Sequence, residues 1–127
     1  MKLKSFAAIL SAGIVSGCVT QTDLISQGNY EKLGYYDGQN GSTSLTEPQF
    51  NHLIDSAKGK PVATAFADYQ TGYVQGRDQY CTTEHLFALG EQGKVNWGIC
   101  EYRREQDGLY LLNWQRGFER FGKEPNL

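Results

Sequence analysis

The chain has 127 residues, enough for one domain of ordinary size and too few for two comfortable ones. Acidic side chains outnumber basic ones 14 to 12, a formal charge of −2, which excludes a basic nucleic-acid-binding protein. Apolar residues make up 39% and charged residues 20%, so the chain is not a disordered tail; its 15 Gly, 8 Tyr and odd count of 3 Cys ask for an explanation.

At the start, Lys2 and Lys4 form a short positive head, and Phe6 to Val15 carries no charge. A membrane-spanning helix needs about 20 apolar residues, so this run is too short to span and fits the core of a secretory signal peptide. It ends in Val15-Ser16-Gly17-Cys18: one aliphatic residue, two small ones, then Cys. That pattern resembles the lipobox of bacterial lipoproteins. There the Cys thiol accepts a diacylglyceryl group, and the small residues admit a peptidase to the bond before it. Residues 1–17 are then a cleaved lipoprotein signal peptide, and Cys18 is the lipidated amino terminus. Several acyl chains on one Cys hold a protein to the bilayer, where a single chain anchors only marginally. Val19 stands where Asp resembles an inner-membrane retention signal. The expected location is therefore the outer membrane, lipid-anchored, with the domain on the periplasmic side. Losing Lys2 and Lys4 leaves 10 bases against 14 acids, a mature side-chain balance of −4.

Residues 19–28, VTQTDLISQG, are mostly polar and read, together with Cys18, as a tether. Residues 29–127 then form a single periplasmic domain. Gly recurs in it with a pattern. Leu33-Gly34-Tyr35-Tyr36-Asp37-Gly38 is followed by Gly41, and Thr71-Gly72-Tyr73-Val74-Gln75-Gly76 repeats the spacing. Leu89-Gly90-Glu91-Gln92-Gly93 and Arg116-Gly117-Phe118 are shorter echoes, and Tyr30, Tyr69, Phe87 and Trp114 stand shortly before a Gly. Gly costs about 1 kcal/mol in a helix interior, so turns are one reading. Helices that approach closely through a bare Gly face are the other, favoured by the helical period of the flanking residues.

Phe50, Leu53, Ile54 and Ala57 fall on one helical face, with capping-box spacing from Ser44 to Glu47, Pro48 in the first turn and Gly59 as a stop. A further helix is expected over Ala63–Tyr80, with Phe66, Tyr69, Tyr73, Gly76 and Tyr80 along a stripe. The stretch from Thr82 to Ile99 reads two ways. Thr83 caps a short helix reaching Gln92, or Leu86–Leu89 and the alternating Val95, Trp97 and Ile99 form a hairpin. A last helix starts with Asp107 as N-cap and puts Leu111, Trp114, Phe118 and Phe121 on one face. The expected fold is mainly α: a small bundle of three to five short helices stapled by one disulfide, with a short β-hairpin between the cysteines as the alternative for that stretch.

With Cys18 given to lipid, Cys81 and Cys100 remain for a disulfide in an oxidising compartment, worth about 3 kcal/mol for so short a loop. The pairing removes Cys81 as a nucleophile beside His85. Cys81, His85, Cys100 and His52 match no zinc spacing, so neither a metal nor a cofactor is expected. Carboxylate pairs such as Glu31 with Asp37, or Asp68 with Asp78, read as solvated helix surface. No phosphate loop, dinucleotide fingerprint or Ser elbow is present, and the chain is not expected to be an enzyme. Tyr35, Tyr73, Trp97 and Trp114 are the candidate binding surface for a glycan or peptide, set against the reading in which such rings fill a small core. Arg116, Arg120 and Lys123 share a helical face that suits either solvent or anionic lipid.

Tyr69-x-x-Gly72-x-x-x-Gly76-x-x-x-Tyr80-Cys81, Leu89-Gly90-x-x-Gly93 and Gly98-Ile99-Cys100 together resemble a family of bacterial lipoproteins known only as a domain of unknown function, DUF2799-like. Leu33-Gly34-Tyr35-x-Asp37-Gly38-x-x-Gly41 and Trp114-x-x-Gly117 extend the resemblance from Tyr30 to Phe118. It implies secretion, lipidation and the disulfide, and it supplies no activity. The functional expectation is a non-enzymatic envelope interaction or structural role. Its partners would be the bilayer, through acylated Cys18, and an envelope protein or peptidoglycan. A glycan- or peptidoglycan-binding module is one alternative. An inhibitor or immunity protein of a periplasmic enzyme, presenting a loop from Thr82 to Trp97, is the other.

Overall fold

The computed structural model describes residues 19–123, so Cys18 and the signal sequence before it lie outside the described residues. Six α-helices follow one another: α1 (Gln21–Gln27), α2 (Tyr30–Gln39), α3 (Glu47–Ser56), α4 (Ala65–Tyr80), α5 (Thr83–Glu91) and α6 (Gly108–Phe118). A 3₁₀ turn, Gly98–Arg103, lies between the last two. No strand occurs among the described residues, so the hairpin alternative falls. The Thr82 hydroxyl accepts the backbone N–H of His85 and starts α5, one residue earlier than expected. Leu86, Leu89 and Gly90 then share the buried face of that helix. In the stretch that alternates, Trp97 is buried but Val95 is 63% exposed, in a loop rather than a strand.

Two further expectations need correction. The segment assigned to a tether folds as α1. Thr20 and Asp23 close a capping box at its start, and Gly28, at φ 71°, ends it in the left-handed conformation. Leu24 and Ile25, each 2% exposed, enter the core with Tyr30, Leu33, Phe50 and Tyr69. One adjacent apolar pair suffices because the helix has only a short stripe to bury. The α3 capping box is Thr46 with Gln49, two residues beyond the expected one, with Pro48 in the first turn. α4 ends at Tyr80 as expected but starts at Ala65, two residues late, and Asp107 caps α6 by accepting the Leu109 N–H; α6 ends at Phe118, so Phe121 lies in the turn beyond it.

Gly34, Gly38, Gly72, Gly76, Gly90 and Gly117 are helical and face one another, while Gly41 and Gly93 hold turns. A Cβ built on Gly34 would lie 1.9 Å from the Tyr69 carbonyl oxygen, and one on Gly72 would lie 1.7 Å from that of Glu31. One turn on, a Cβ on Gly38 would lie 2.3 Å from the Tyr73 carbonyl oxygen and one on Gly76 2.0 Å from that of Tyr35. Register rises in step on both helices, so α2 and α4 run parallel with their backbones in contact. Gly90 of α5 and Gly117 of α6 repeat the arrangement: a Cβ built on them would lie 2.1 Å from the Trp114 carbonyl oxygen and 2.0 Å from that of Phe87.

A second core lies under α5 and α6. It holds Cys81, Leu86, Leu89, Trp97 and Cys100, and the two cysteines form the expected disulfide with their Cα atoms 5.5 Å apart. Arg103 reaches from the 3₁₀ turn to the end of α4, where Nε donates to the Cys81 carbonyl at 3.2 Å and a terminal nitrogen to that of Asp78 at 3.3 Å. A cation there satisfies helix-end carbonyls.

Gly72→Ala is expected to cost about 3 kcal/mol or more, because rigid backbone must move to admit the methyl group. Gly108→Ala, with nothing within 4 Å of the added carbon, is expected to be neutral or to stabilise by up to about 1 kcal/mol. Urea unfolding of both variants checks the contrast. Reducing Cys81–Cys100 is expected to lower stability by about 3 kcal/mol in the same assay.

Candidate functional site

A groove of about 570 Å³ is lined by the turn after α2, the end of α4, α5 and the loop after it. Gly41 holds φ 77°, and a Cβ there would strike the Tyr80 ring at 2.5 Å, so the turn must be bare to lie against α4. Tyr80 packs over the His85 imidazole, ring centroids 4.2 Å apart. On the far wall the Lys94 carbonyl accepts the indole N–H of Trp114 at 2.7 Å, which fixes the loop carrying Lys94, Asn96 and Trp97. The Gly98 N–H donates to the Asn96 side-chain oxygen at 2.8 Å, and the Trp97 N–H donates to a Glu101 carboxylate oxygen at 2.9 Å. Arg104 stacks over Trp97 at 4.0 Å.

Burial lowers the His85 pKa below its ordinary 6.5, and the nearby Lys94 charge lowers it further. At neutral pH the groove therefore offers an uncharged imidazole, one ammonium, one amide and aromatic surface. No carboxylate is among its lining residues. The set suits a ligand that carries an anionic group beside an apolar or flat portion.

The four rings expected to form a binding surface do not lie together. Tyr73 is 6% exposed and Trp97 3%, so neither offers a free face. The Tyr73 hydroxyl donates to the Ser42 carbonyl at 2.8 Å, which makes this residue a brace for the turn after α2. Trp114 is partly buried, tilted on Trp97 and stacked on Phe118 at 4.9 Å. Tyr35 alone lines a different, shallower groove with Asn29, Glu31, Lys32 and Gln75. Of the four, only Trp97 borders the groove of His85 and Lys94. His85, Lys94 and Asn96 were not singled out as a group, and their only signal was position: Lys94 and Asn96 follow the Gly90/Gly93 stop, and His85 sits in the first turn of α5.

A second polar cluster lies at Asp37. The Tyr69 hydroxyl donates to its carboxylate at 2.7 Å and accepts the Leu45 N–H at 3.2 Å. Burial raises the Asp37 pKa, and the Tyr69 hydrogen bond opposes that shift. The Tyr69 phenol is raised far above its usual value, chiefly by burial. Among the described residues no His, Cys, Asp and Glu gather as a metal site, and no helix is long and apolar enough to cross a membrane.

A family model described as protein of unknown function (DUF2799) matches residues 29–119. No curated protein and no solved structure matches the chain.

The groove predicts its own titration. Nuclear magnetic resonance should find the His85 imidazole titrating below 6.5, and Lys94→Ala should move it upward. Because the folded pKa is depressed, the unfolded chain binds the proton first as pH falls. His85 thus contributes stability above its unfolded pKa, and that contribution is lost as pH falls through the folded value. Thermal melts of His85→Gln should show a weaker loss across the same acidic window.

Proposed function

The chain belongs to the DUF2799 family of proteins of unknown function, and from that premise we propose that it is an outer-membrane-anchored periplasmic lipoprotein with a non-enzymatic envelope role. The observation that carries the reading is Val15-Ser16-Gly17-Cys18 at the end of an uncharged run. The position of α1 adds to it. Only Val19 and Thr20 separate Cys18 from the first helical residue, a reach of about 10 Å at most. A domain so linked would rest on the bilayer surface rather than hang from a tether.

A binding role rather than a reaction is supported by what the thiols and the groove of His85 and Lys94 offer. Cys81 and Cys100 are tied to each other, so neither is a nucleophile. Tyr80, His85, Lys94 and Asn96 give a ligand a stacking face, an ammonium and hydrogen bonds. Their chemistry favours an envelope polymer with carboxylates next to sugar or short peptide, as peptidoglycan has. The inhibitor reading has less support, because most of the loop it needs, Thr83–Glu91, is helix packed on α6.

Replacing Cys18 with Ser should abolish incorporation of an acyl label and release the protein from the membrane fraction. A retained label would contradict the anchor. Soluble muropeptides should bind the mature protein, and Lys94→Ala should weaken that binding about tenfold, the scale of one charge-assisted hydrogen bond. Calorimetry that detects no muropeptide binding would remove the groove from the proposal and leave the anchor standing.

A further inference from the structure

A second groove, of about 400 Å³, runs between α1 and α2 and begins at Val19, the residue after the lipidation candidate. Its lining combines the Asp37 carboxylate, the Gln21 and Asn40 amides and the Tyr36 ring with Leu24 and Leu33. Asp37 is partly buried, and no ion pair among the described residues reaches it. The one donor to its carboxylate among those residues is the Tyr69 hydroxyl, which contributes no charge. Resting on the anchored reading above, we propose that this groove takes the primary ammonium of a membrane lipid headgroup, such as that of phosphatidylethanolamine.

The chemistry is specific. A primary ammonium has three N–H donors on one compact charge. Asp37 supplies the opposite charge, the side-chain oxygens of Gln21 and Asn40 supply acceptors, and the Tyr36 ring supplies a face on which a cation is favourable. That ring already lies under a cation, the Lys32 ammonium, 5.8 Å from its centroid. Location completes the argument. Acyl chains on Cys18 would put Val19 in the headgroup layer, so the groove would open where such ammonium groups are most concentrated. A trimethylated headgroup carries the same charge without any N–H, so it cannot satisfy the acceptors.

The test uses the full lipidated protein in two vesicle preparations matched in surface charge. One is phosphatidylethanolamine with phosphatidylglycerol, the other phosphatidylcholine with phosphatidylglycerol. Amide hydrogen exchange over residues 21–40 should be about tenfold slower in the first. The Asp37 carboxyl, read by NMR, should titrate lower there than in the second. Asp37→Asn keeps an acceptor for Tyr69 and should erase the difference. Asn40→Lys, at an exposed position, should erase it too by placing an internal ammonium beside Asp37. Equal exchange in both vesicles overturns the proposal, and so does equal protection by free ethanolamine without the ethanolamine lipid. Failure of the anchor reads differently: the protein would carry no acyl label and would sediment with neither vesicle.

Discussion

Everything in this fold follows from the contact between α2 and α4, where carbonyl oxygens of each helix sit against bare Cα atoms of the other. Any Cβ at Gly34, Gly38, Gly72 or Gly76 would overlap partner backbone. Side chains normally hold packed helices about 8–10 Å apart, and removing them lets the axes come closer. Each of these Gly costs about 1 kcal/mol as a helix residue. That cost is offset by dispersion over a long backbone interface and by Cα–H···O contacts to Glu31, Tyr35, Tyr69 and Tyr73. Parallel helices within one chain need a long return path. Residues 40–64, with α3 among them, supply it and roof the core with Phe50.

The second half rebuilds this unit in shortened form. Gly38, Gly41 and Ser42 correspond to Gly90, Gly93 and Lys94, each 52 positions on, and Tyr73, Gly76 and Tyr80 correspond to Trp114, Gly117 and Phe121, each 41 positions on. The matching bonds are the same. The Ser42 N–H donates to the Asp37 carbonyl as that of Lys94 donates to Leu89, and both Ser42 and Lys94 carbonyls accept an aromatic side-chain donor. Even the bare turns agree, with Gly41 against the Tyr80 ring and Gly93 against that of Phe121. The copies part where Gly34 and Gly72 have Leu86 and Asn113 as counterparts. A fully buried Leu86 cannot let backbones touch, so α5 and α6 close only around one glycine pair. Cys81 and Cys100 occupy the same cluster as Leu86, which places the covalent staple in the half whose backbone contact is shorter.

The sequence made the helices legible because Gly spaced by four, within flanks of helical period, has one physical use in a helix. The disulfide followed from counting thiols once Cys18 was assigned to lipid. What stayed hidden depends on partners distant in the chain. Tyr73 and Trp114 read as binding rings or, more often for such residues, as core rings, since their polar tips need an acceptor either way. Only the fold shows Ser42 and Lys94 to be those acceptors. Leu24-Ile25 was too short an apolar signal to argue a helix, and only packing on α2 makes it one. The groove residues His85, Lys94 and Asn96 are individually ordinary, and the turn geometry of the two halves gathers them.

The groove of His85 and the groove of Asp37 share a wall, the turn after α2, which side chains tie in several places. Asn40 borders one groove, while Gly41 and Thr43 border the other. Between them the chain is held by Tyr73 at the Ser42 carbonyl and by Tyr69, which bonds Asp37 and the Leu45 N–H together. Both tyrosines come from α4, each three residues before a seam glycine, and each gives its carbonyl to that seam. One residue thus serves the helix contact through its backbone and the turn through its ring. Loosening the glycine seam would therefore shift both tyrosine hydroxyls and deform both grooves together, so the close helix contact is also what gives the grooves their shape.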